Sequence, residues 1–355
     1  MYPYWLLFGL CAVGAIQYSS PAAAKQRSGV LLLWAALVIC LMIGLRYRVG
    51  GDWENYIGIF EDISYLDFQS ALAFGDPGYT VLNWAATQLG YGIWFVNLIC
   101  AILFTWGLVE FSRAQYNPWL SFVVAIPYLI IVVAMGYTRQ AVAIGFIMVA
   151  LAGLEKHSIF RLVFFICLAA IFHKSAIVVL PLIGLATAKN RFLIIPLVLA
   201  AAIIFYYVFV SASIDKMVTN YVEEGMESQG AAIRVAMNLP PAALFLIFQK
   251  RFGFNEVQTK AWRNFSLASV AMLAMLVLTS ASTAVDRIAL YLIPLQIAVL
   301  ARLPHAFGKE TRNGPLVLAV IAYSAIVQFV WLNKATNAVY WVPYQVYPIG
   351  GEEEE

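Results

Sequence analysis

Val30-Leu31-Leu32-Leu33-Trp34-Ala35-Ala36-Leu37-Val38-Ile39-Cys40-Leu41-Met42-Ile43-Gly44-Leu45 runs without a charge into Arg46-Tyr47-Arg48-Val49-Gly50-Gly51-Asp52-Trp53. The first part is an apolar helix long enough to cross a bilayer. The second places two arginines and an aspartate at its lip. Charge held beside lipid is costly, so it normally faces an aqueous cavity, a counter-charge or a charged ligand. The pattern returns at Tyr137-Thr138-Arg139-Gln140, Phe172-His173-Lys174-Ser175 and Val285-Asp286-Arg287.

The remainder of the chain agrees with that start. Its 355 residues are 63% hydrophobic and 12% charged, about half the charged share of a soluble domain. Apolar runs recur at 3–20, 29–45, 91–112, 118–136, 138–154, 158–173, 175–188, 192–210, 232–249, 263–280, 287–302 and 315–332. The expected fold is all-α, a polytopic membrane helix bundle of about twelve spans. Residues 1–349 form one transmembrane domain, and 350–355 are a low-complexity tail. Met1-Tyr2-Pro3-Tyr4-Trp5 lacks the basic start of a removable signal peptide, so the first span is expected to stay. Cys11, Cys40, Cys100 and Cys167 lie inside apolar runs without metal-ligand spacing, and are expected to be small buried hydrophobes.

Lys and Arg in the short loops set the orientation. With Lys25 and Arg27 in the cytoplasm, the cytoplasmic turns also collect Arg113, Lys156, Arg161, Lys189, Arg191, Lys250, Arg251, Lys260, Arg263, Arg302, Lys309 and Arg312, 14 of the 22 basic residues. Both termini are then expected in the periplasm of a bacterial inner membrane protein. Arg46, Arg48, Arg139, Lys174, Lys216, Arg234, Arg287 and Lys334 fall on the outer side against that bias, most of them close to a span end. A bound anion would account for them.

Two outer segments, 46–77 and 211–231, have length. In the first, Trp53, Tyr56, Ile57 and Phe60 recur at helical spacing and predict an amphipathic helix resting on the bundle. Residues 78–89 are too short and polar for a span and suit a half-membrane or interfacial helix. Aromatic rings beside carboxylates are how proteins hold sugars: rings cover C–H faces and carboxylates accept hydroxyl protons. The same rings also suit an interfacial belt.

Five segments resemble the EpsG family of polysaccharide-assembly membrane proteins: Arg46 to Trp53 with Tyr56; Asp76-Pro77-Gly78-Tyr79 with Leu82-Asn83, where the family usually has Glu in place of Asp76; Arg139-Gln140-Ala141; His173-Lys174-Ser175-Ala176; and Asp286-Arg287 to Tyr291. They stand in family order over most of the chain. The family is similar to the Wzy-type O-antigen and capsule polymerases. The resemblance implies a GT-C-like architecture, a donor and an acceptor oligosaccharide on undecaprenyl pyrophosphate, and chemistry on the periplasmic side. It also implies membrane lipids, a chain-length regulator and a flippase as partners, with no nucleic acid and no cofactor.

Glycan transfer from a polyprenyl pyrophosphate leaves extra negative charge on the diphosphate, so fixed cations are needed there and a base at the acceptor hydroxyl. Arginine suits the diphosphate because its planar fork donates two hydrogen bonds and stays charged. Arg46 or Arg48, Arg139 and Arg287 are the expected cations, with Lys174 and Arg234 beside them. Three bland alternatives compete: a structural ion pair between Asp286 and Arg287, snorkelling of Lys174, and snorkelling of one of Arg46 and Arg48. For the base, His173 leads and Asp52 follows, the Gly50-Gly51 turn being able to aim its carboxylate. Asp76-Pro77-Gly78 reads first as a turn. Glycan contacts are expected from Trp53, Tyr56, Asp76, Tyr79, Gln140, Asp286 and Tyr291. No metal site and no nucleotide loop is visible. A lipid-linked glycan transporter or flippase, a ligase, an acyltransferase and a non-catalytic assembly partner are the competing classes.

Overall fold

The computed structural model describes residues 1–18, 29–156, 159–187, 196, 203, 231–278, 282–308 and 313–349. Helices α1 (Tyr2–Gln17) and α2 (Gly29–Gly44) are followed by three short ones, α3 (Trp53–Ser64), α4 (Phe68–Phe74) and α5 (Pro77–Gln88). Next come α6 (Ile93–Arg113), α7 (Pro118–Ala125), a π-helical continuation (Ile126–Ala134), α8 (Thr138–Ala152) and α9 (Ile159–Phe172). A 3₁₀ turn (Lys174–Val178) leads into α10 (Val179–Thr187). The chain continues with α11 (Ala231–Ala236), α12 (Leu239–Phe248), α13 (Glu256–Leu278), α14 (Ser282–Ala289), α15 (Ile293–Phe307) and α16 (Gly314–Lys334). No strand occurs among the described residues; an isolated bridge joins Arg46 to Val346.

Eleven of the twelve expected spans fall on these apolar helices, while 192–210 lies outside the described residues apart from two positions. Among the described residues, five helices are long and apolar enough to cross a membrane: Ile93–Arg113, Ala231–Arg251, Glu256–Leu278, Val285–Phe307 and Gly314–Lys334. The segment 211–230 and the tail 350–355 also lie outside the described residues. The amphipathic helix expected after Gly50 is α3, which buries Trp53, Tyr56 and Ile63. The short segment at 78–89, expected as a half-membrane or interfacial helix, is helical as α5.

α8 is the axis of the bundle. It is apolar on every side and almost wholly buried from Thr138 to Leu151, as a helix without a polar face must be. It packs against α6 and α9. Gly107 of α6 lets the backbone of Gly145 on α8 approach: a Cβ at Gly107 would collide with the Gly145 carbonyl. Small residues at a crossing are how helices associate where lipid removes the hydrophobic drive. Outer helices reverse the usual soluble pattern. α1 exposes Leu6, Leu10 and Val13, and α2 exposes Leu31, Trp34, Val38 and Leu41, faces suited to hydrocarbon. Cys11, Cys40 and Cys100 are buried as expected, but Cys167 is exposed on α9: an apolar run marks depth in a bilayer, not which face of the helix meets protein.

The two ends of the bundle differ. At one, Arg302 of α15 is buried among the turns after α6 and α12, donating to Gln115 Oε1 (2.8 Å), Ala114 O (2.8 Å) and Phe252 O (3.2 Å), with the Phe254 ring 4.0 Å away. At the other, the segments starting at Arg46, Asp76, Arg139, His173 and Asp286 converge. The C-terminal stretch closes that end: Tyr47 N–H donates to Gln345 O, Tyr347 N–H to Leu45 O and Gly50 N–H to Tyr340 O. Trp341 donates its indole N–H to Ile131 O at 2.7 Å, inside the π-helical turn that delivers Thr138 and Arg139.

Candidate active site

Asp76 is the hub. It stands in extended backbone before α5, with Pro77 at the first helical position, where a missing N–H costs nothing. Gly78 lets this helix start lie against the end of α9, since a Cβ there would come within 2.9 Å of Ile171 and Phe172 side-chain atoms. The Asp76 carboxylate does not cap its own helix; it reaches across to three donors. Arg139 Nη1 donates to Oδ2 at 3.0 Å, His173 Nδ1 lies 3.3 Å from Oδ2, and the Lys174 amide donates to Oδ1 at 3.3 Å. Burial pushes the Asp76 carboxyl up, but the His173 contact, the Arg139 charge and the Lys174 amide outweigh it and hold it below the ordinary 3.8. It is a carboxylate at neutral pH.

Each partner is fixed by its own element. α9 ends at Phe172, His173 turns out in extended backbone, and the 3₁₀ turn begins at Lys174. With Nδ1 engaged by Asp76, the His173 ring presents Nε2 away from the carboxylate, the division of labour that makes an imidazole a general base. Arg139 occupies the first turn of α8, where a cation opposes the helix dipole. Asp76 offsets that cost, and the Tyr56 and Tyr79 rings lie 5.9 Å below the guanidinium. The Arg139 Nε–H and the Tyr79 hydroxyl are buried without a protein hydrogen-bond partner.

The remaining expected residues gather at the same end. Gln140 donates to the Arg287 carbonyl, and Tyr291 shares a 3.0 Å hydrogen bond with Ser175. Asp286 pairs with Arg234 at 2.6 Å and not with its neighbour Arg287, because adjacent residues point to different sides of a helix. The Arg287 side chain is exposed and has no carboxylate partner among the described residues. Lys174 is exposed beside the Asp76 carboxylate that its amide meets. Asp52 is half-buried; burial raises its carboxyl, opposed by the charges of Arg287 and Arg139. Trp53 is buried edge-on to Tyr47, and Arg48 is exposed with its guanidinium 5.4 Å from the Tyr47 ring centre.

Arg46 requires a correction. It is 1% exposed, and its fork is spent inward on Ile43 O (2.7 Å), Val49 O (3.2 Å), Asn97 Oδ1 (3.2 Å) and Thr138 Oγ1 (2.7 Å). It ties the end of α2 to the starts of α6 and α8 and spends four of its five N–H donors inside the protein. The expected cations therefore stand in a network with carboxylates. Arg139, Arg234, Arg287 and Lys174 face Asp52, Asp76 and Asp286, which leaves one net positive charge before His173. Asn97 carried no signal in the sequence, since an uncharged group in an apolar run does not show what it meets, whereas Thr138 and Ser175 stood in segments singled out for their charged neighbours. Among the described residues no group of three His, Cys, Asp or Glu side chains gathers as metal ligands do.

An all-helical bundle with apolar outer faces and a charged cluster gathered at one end defines a polytopic membrane protein with a terminal polar site. The sequence model of the EpsG family matches residues 29–346, from the start of α2 to the Val346 bridge with Arg46. The chain belongs to the EpsG family, a family of Wzy-like polysaccharide polymerases. Membership supports a role like that of a membrane polysaccharide polymerase. No curated protein and no solved structure shows a significant match.

Proposed function

We infer that this chain polymerises oligosaccharide repeat units carried on undecaprenyl pyrophosphate, on the periplasmic side of a bacterial inner membrane, into O-antigen, capsule or exopolysaccharide. The observation that carries the reading is the Asp76 carboxylate held between His173 and Arg139. It supplies a base and a fixed cation within one constellation at the end of an apolar bundle.

In this mechanism Asp76 accepts from Nδ1–H of His173, and Nε2 takes the proton of the acceptor hydroxyl. The hydroxyl oxygen attacks the anomeric carbon of the donor glycan. The bond from that carbon to the diphosphate oxygen breaks with its electron pair, and the lipid diphosphate leaves. Arg139, Arg287 and Lys174 stabilise the charge growing on the leaving oxygens. In-line displacement inverts the anomeric carbon. Asp52 is a second candidate base, because burial raises its proton affinity.

A place for the lipid supports the reading. A cavity of about 350 Å³ opens between the π-helical turn, α11 and α16, lined by Tyr128, Val132, Met237, Ile326 and Val330, with Arg234 and Lys334 also on its wall. Apolar walls with two cations match an isoprenoid chain bearing a phosphate. A transporter would instead place ionisable groups near mid-membrane for alternating access, whereas this cluster lies at span ends.

The discriminating experiment is in cells. Arg139→Ala should leave the protein in the membrane and cause single lipid-linked repeat units to accumulate. Finished polymer retained on its carrier would indicate a ligase instead. Lipid-linked units trapped on the cytoplasmic face would indicate a flippase.

A further inference from the structure

A second cavity, of about 470 Å³, opens at the same end of the bundle. Its wall carries two aromatic pairs. Tyr47 meets Trp53 edge-on at 5.9 Å, and Trp94 stacks on Tyr347 at 5.6 Å with ring planes 9° apart. Arg48 and Glu54 supply polar groups, and Arg46, its guanidinium mostly engaged within the protein, also borders the cavity. The chain is arranged to hold these rings. Tyr347 is fixed by its amide to Leu45 O at 2.8 Å, and Tyr47 by its amide to Gln345 O at 3.1 Å. Arg48 occupies a left-handed backbone position, φ +50°, a conformation that non-glycine residues seldom adopt.

The cavity is separated from the Asp76 cluster by one helix. α3 turns Tyr56 toward Tyr79 and Arg139, while Trp53, Glu54 and Ile57 of the same helix line the cavity. A helix with its side chains is about 10 Å across, so a ligand here lies beside the reacting groups and not among them. Flat rings with a guanidinium and a carboxylate at the edge suit a sugar: rings cover the C–H face, and the charged groups take the hydroxyls. An acyl chain would leave Arg48 and Glu54 without a role. A bare phosphate would leave the rings without one and would meet the Glu54 charge.

The geometry points to a saccharide-binding subsite at Tyr47, Trp53, Trp94 and Tyr347, with Arg48 and Glu54, which grips the glycan away from the bond being made. This rests on the reading of the chain as a glycan polymerase, and it names residues, Trp94 and Tyr347 above all, outside the catalytic cluster. Its consequence is that the enzyme holds the carbohydrate itself as well as the lipid carrier, so that longer glycans bind better than single sugars.

The test uses the purified full-length protein in lipid nanodiscs. The probe is lipid-free oligosaccharide from partial acid hydrolysis of the polymer made by cells carrying this protein, with binding followed by titration calorimetry. Saturable binding is expected, weakened at least tenfold by Trp94→Ala and by Ile57→Trp, which fills the cavity. Trp94→Phe should retain most of the affinity, which separates loss of the ring from loss of the fold. His173→Ala should bind the oligosaccharide as the wild type does while failing to polymerise. Unchanged affinity in both Trp94→Ala and Ile57→Trp would overturn the subsite, as would a wild type that polymerises yet binds no free oligosaccharide. Loss of binding in those variants of a protein that never polymerises would uphold the subsite and overturn the polymerase reading.

Discussion

Two arginines that look alike in the sequence do opposite work. Arg46 is buried with four hydrogen bonds, to the carbonyls of Ile43 and Val49 and the side chains of Asn97 and Thr138, whereas Arg139 shares a carboxylate with His173 and keeps its Nε–H unpartnered. Arg46→Met strands two carbonyls, Thr138 and Asn97, and should lower stability by about 3 kcal/mol or more, seen as a fall in unfolding temperature in detergent. A variant as stable as wild type would remove Arg46 from the structural role. His173→Ala should slow transfer by about 10²–10⁴-fold, the range of a lost general base. Asp76→Asn should do nearly the same, and the double variant should be little worse than either, because the two act as a unit. Full additivity in that cycle would separate them. The pH behaviour of Asp76 follows in sign. Its folded-state value is depressed, so the stability it contributes is present above the ordinary carboxylate range and is lost as pH falls through the lower value. The difference between wild type and Asp76→Asn should persist at about pH 5 and vanish only below about pH 4. The sequence showed which residues carry charge, and Arg46, Arg139, His173, Asp76 and Asp286 start the segments that converge here, while Lys216 lies outside the described residues. It could not show partnership. Asp76 before Pro77-Gly78 looks like turn punctuation because its three partners come from residues 63 to 98 positions away.

The elements were legible where periodicity alone forms them. Long apolar runs marked the apolar helices, five of which among the described residues are long enough to cross a membrane, and the spacing of Trp53, Tyr56 and Phe60 marked α3. Contacts between elements were not, because they depend on which face a residue takes. Cys167, which lies outward on α9, shows this. Glycine marks two such contacts. At Gly107 the neighbour is rigid backbone, so Gly107→Ala must push α6 from α8 and should cost about 1–3 kcal/mol, measurable as lowered unfolding temperature. At Gly78 the neighbours are the Ile171 and Phe172 side chains, which can shift. Gly78→Ala should therefore leave the fold standing while moving Asp76 from His173, with transfer rate falling and unfolding temperature nearly held. A variant that loses stability but keeps its rate per folded molecule would break the link between this packing and the site.

At the scale of the molecule, an apolar bundle is capped by two unlike charged ends. The Arg302 clasp gathers the turns of one end into a closed knot of hydrogen bonds. The other end gathers carboxylates, cations and an imidazole, and an apolar cavity and an aromatic one open at that end as well. That division suits an enzyme whose substrates are half lipid and half carbohydrate. The decisive measurement is reconstitution: purified wild type and Asp76→Asn in nanodiscs, each supplied with a defined undecaprenyl-pyrophosphate oligosaccharide, with products resolved by length. Wild type should yield a ladder of polymer with release of the lipid diphosphate, and Asp76→Asn should leave single units unjoined. A wild type that makes no ladder, or an Asp76→Asn protein that makes the same one, would contradict the account.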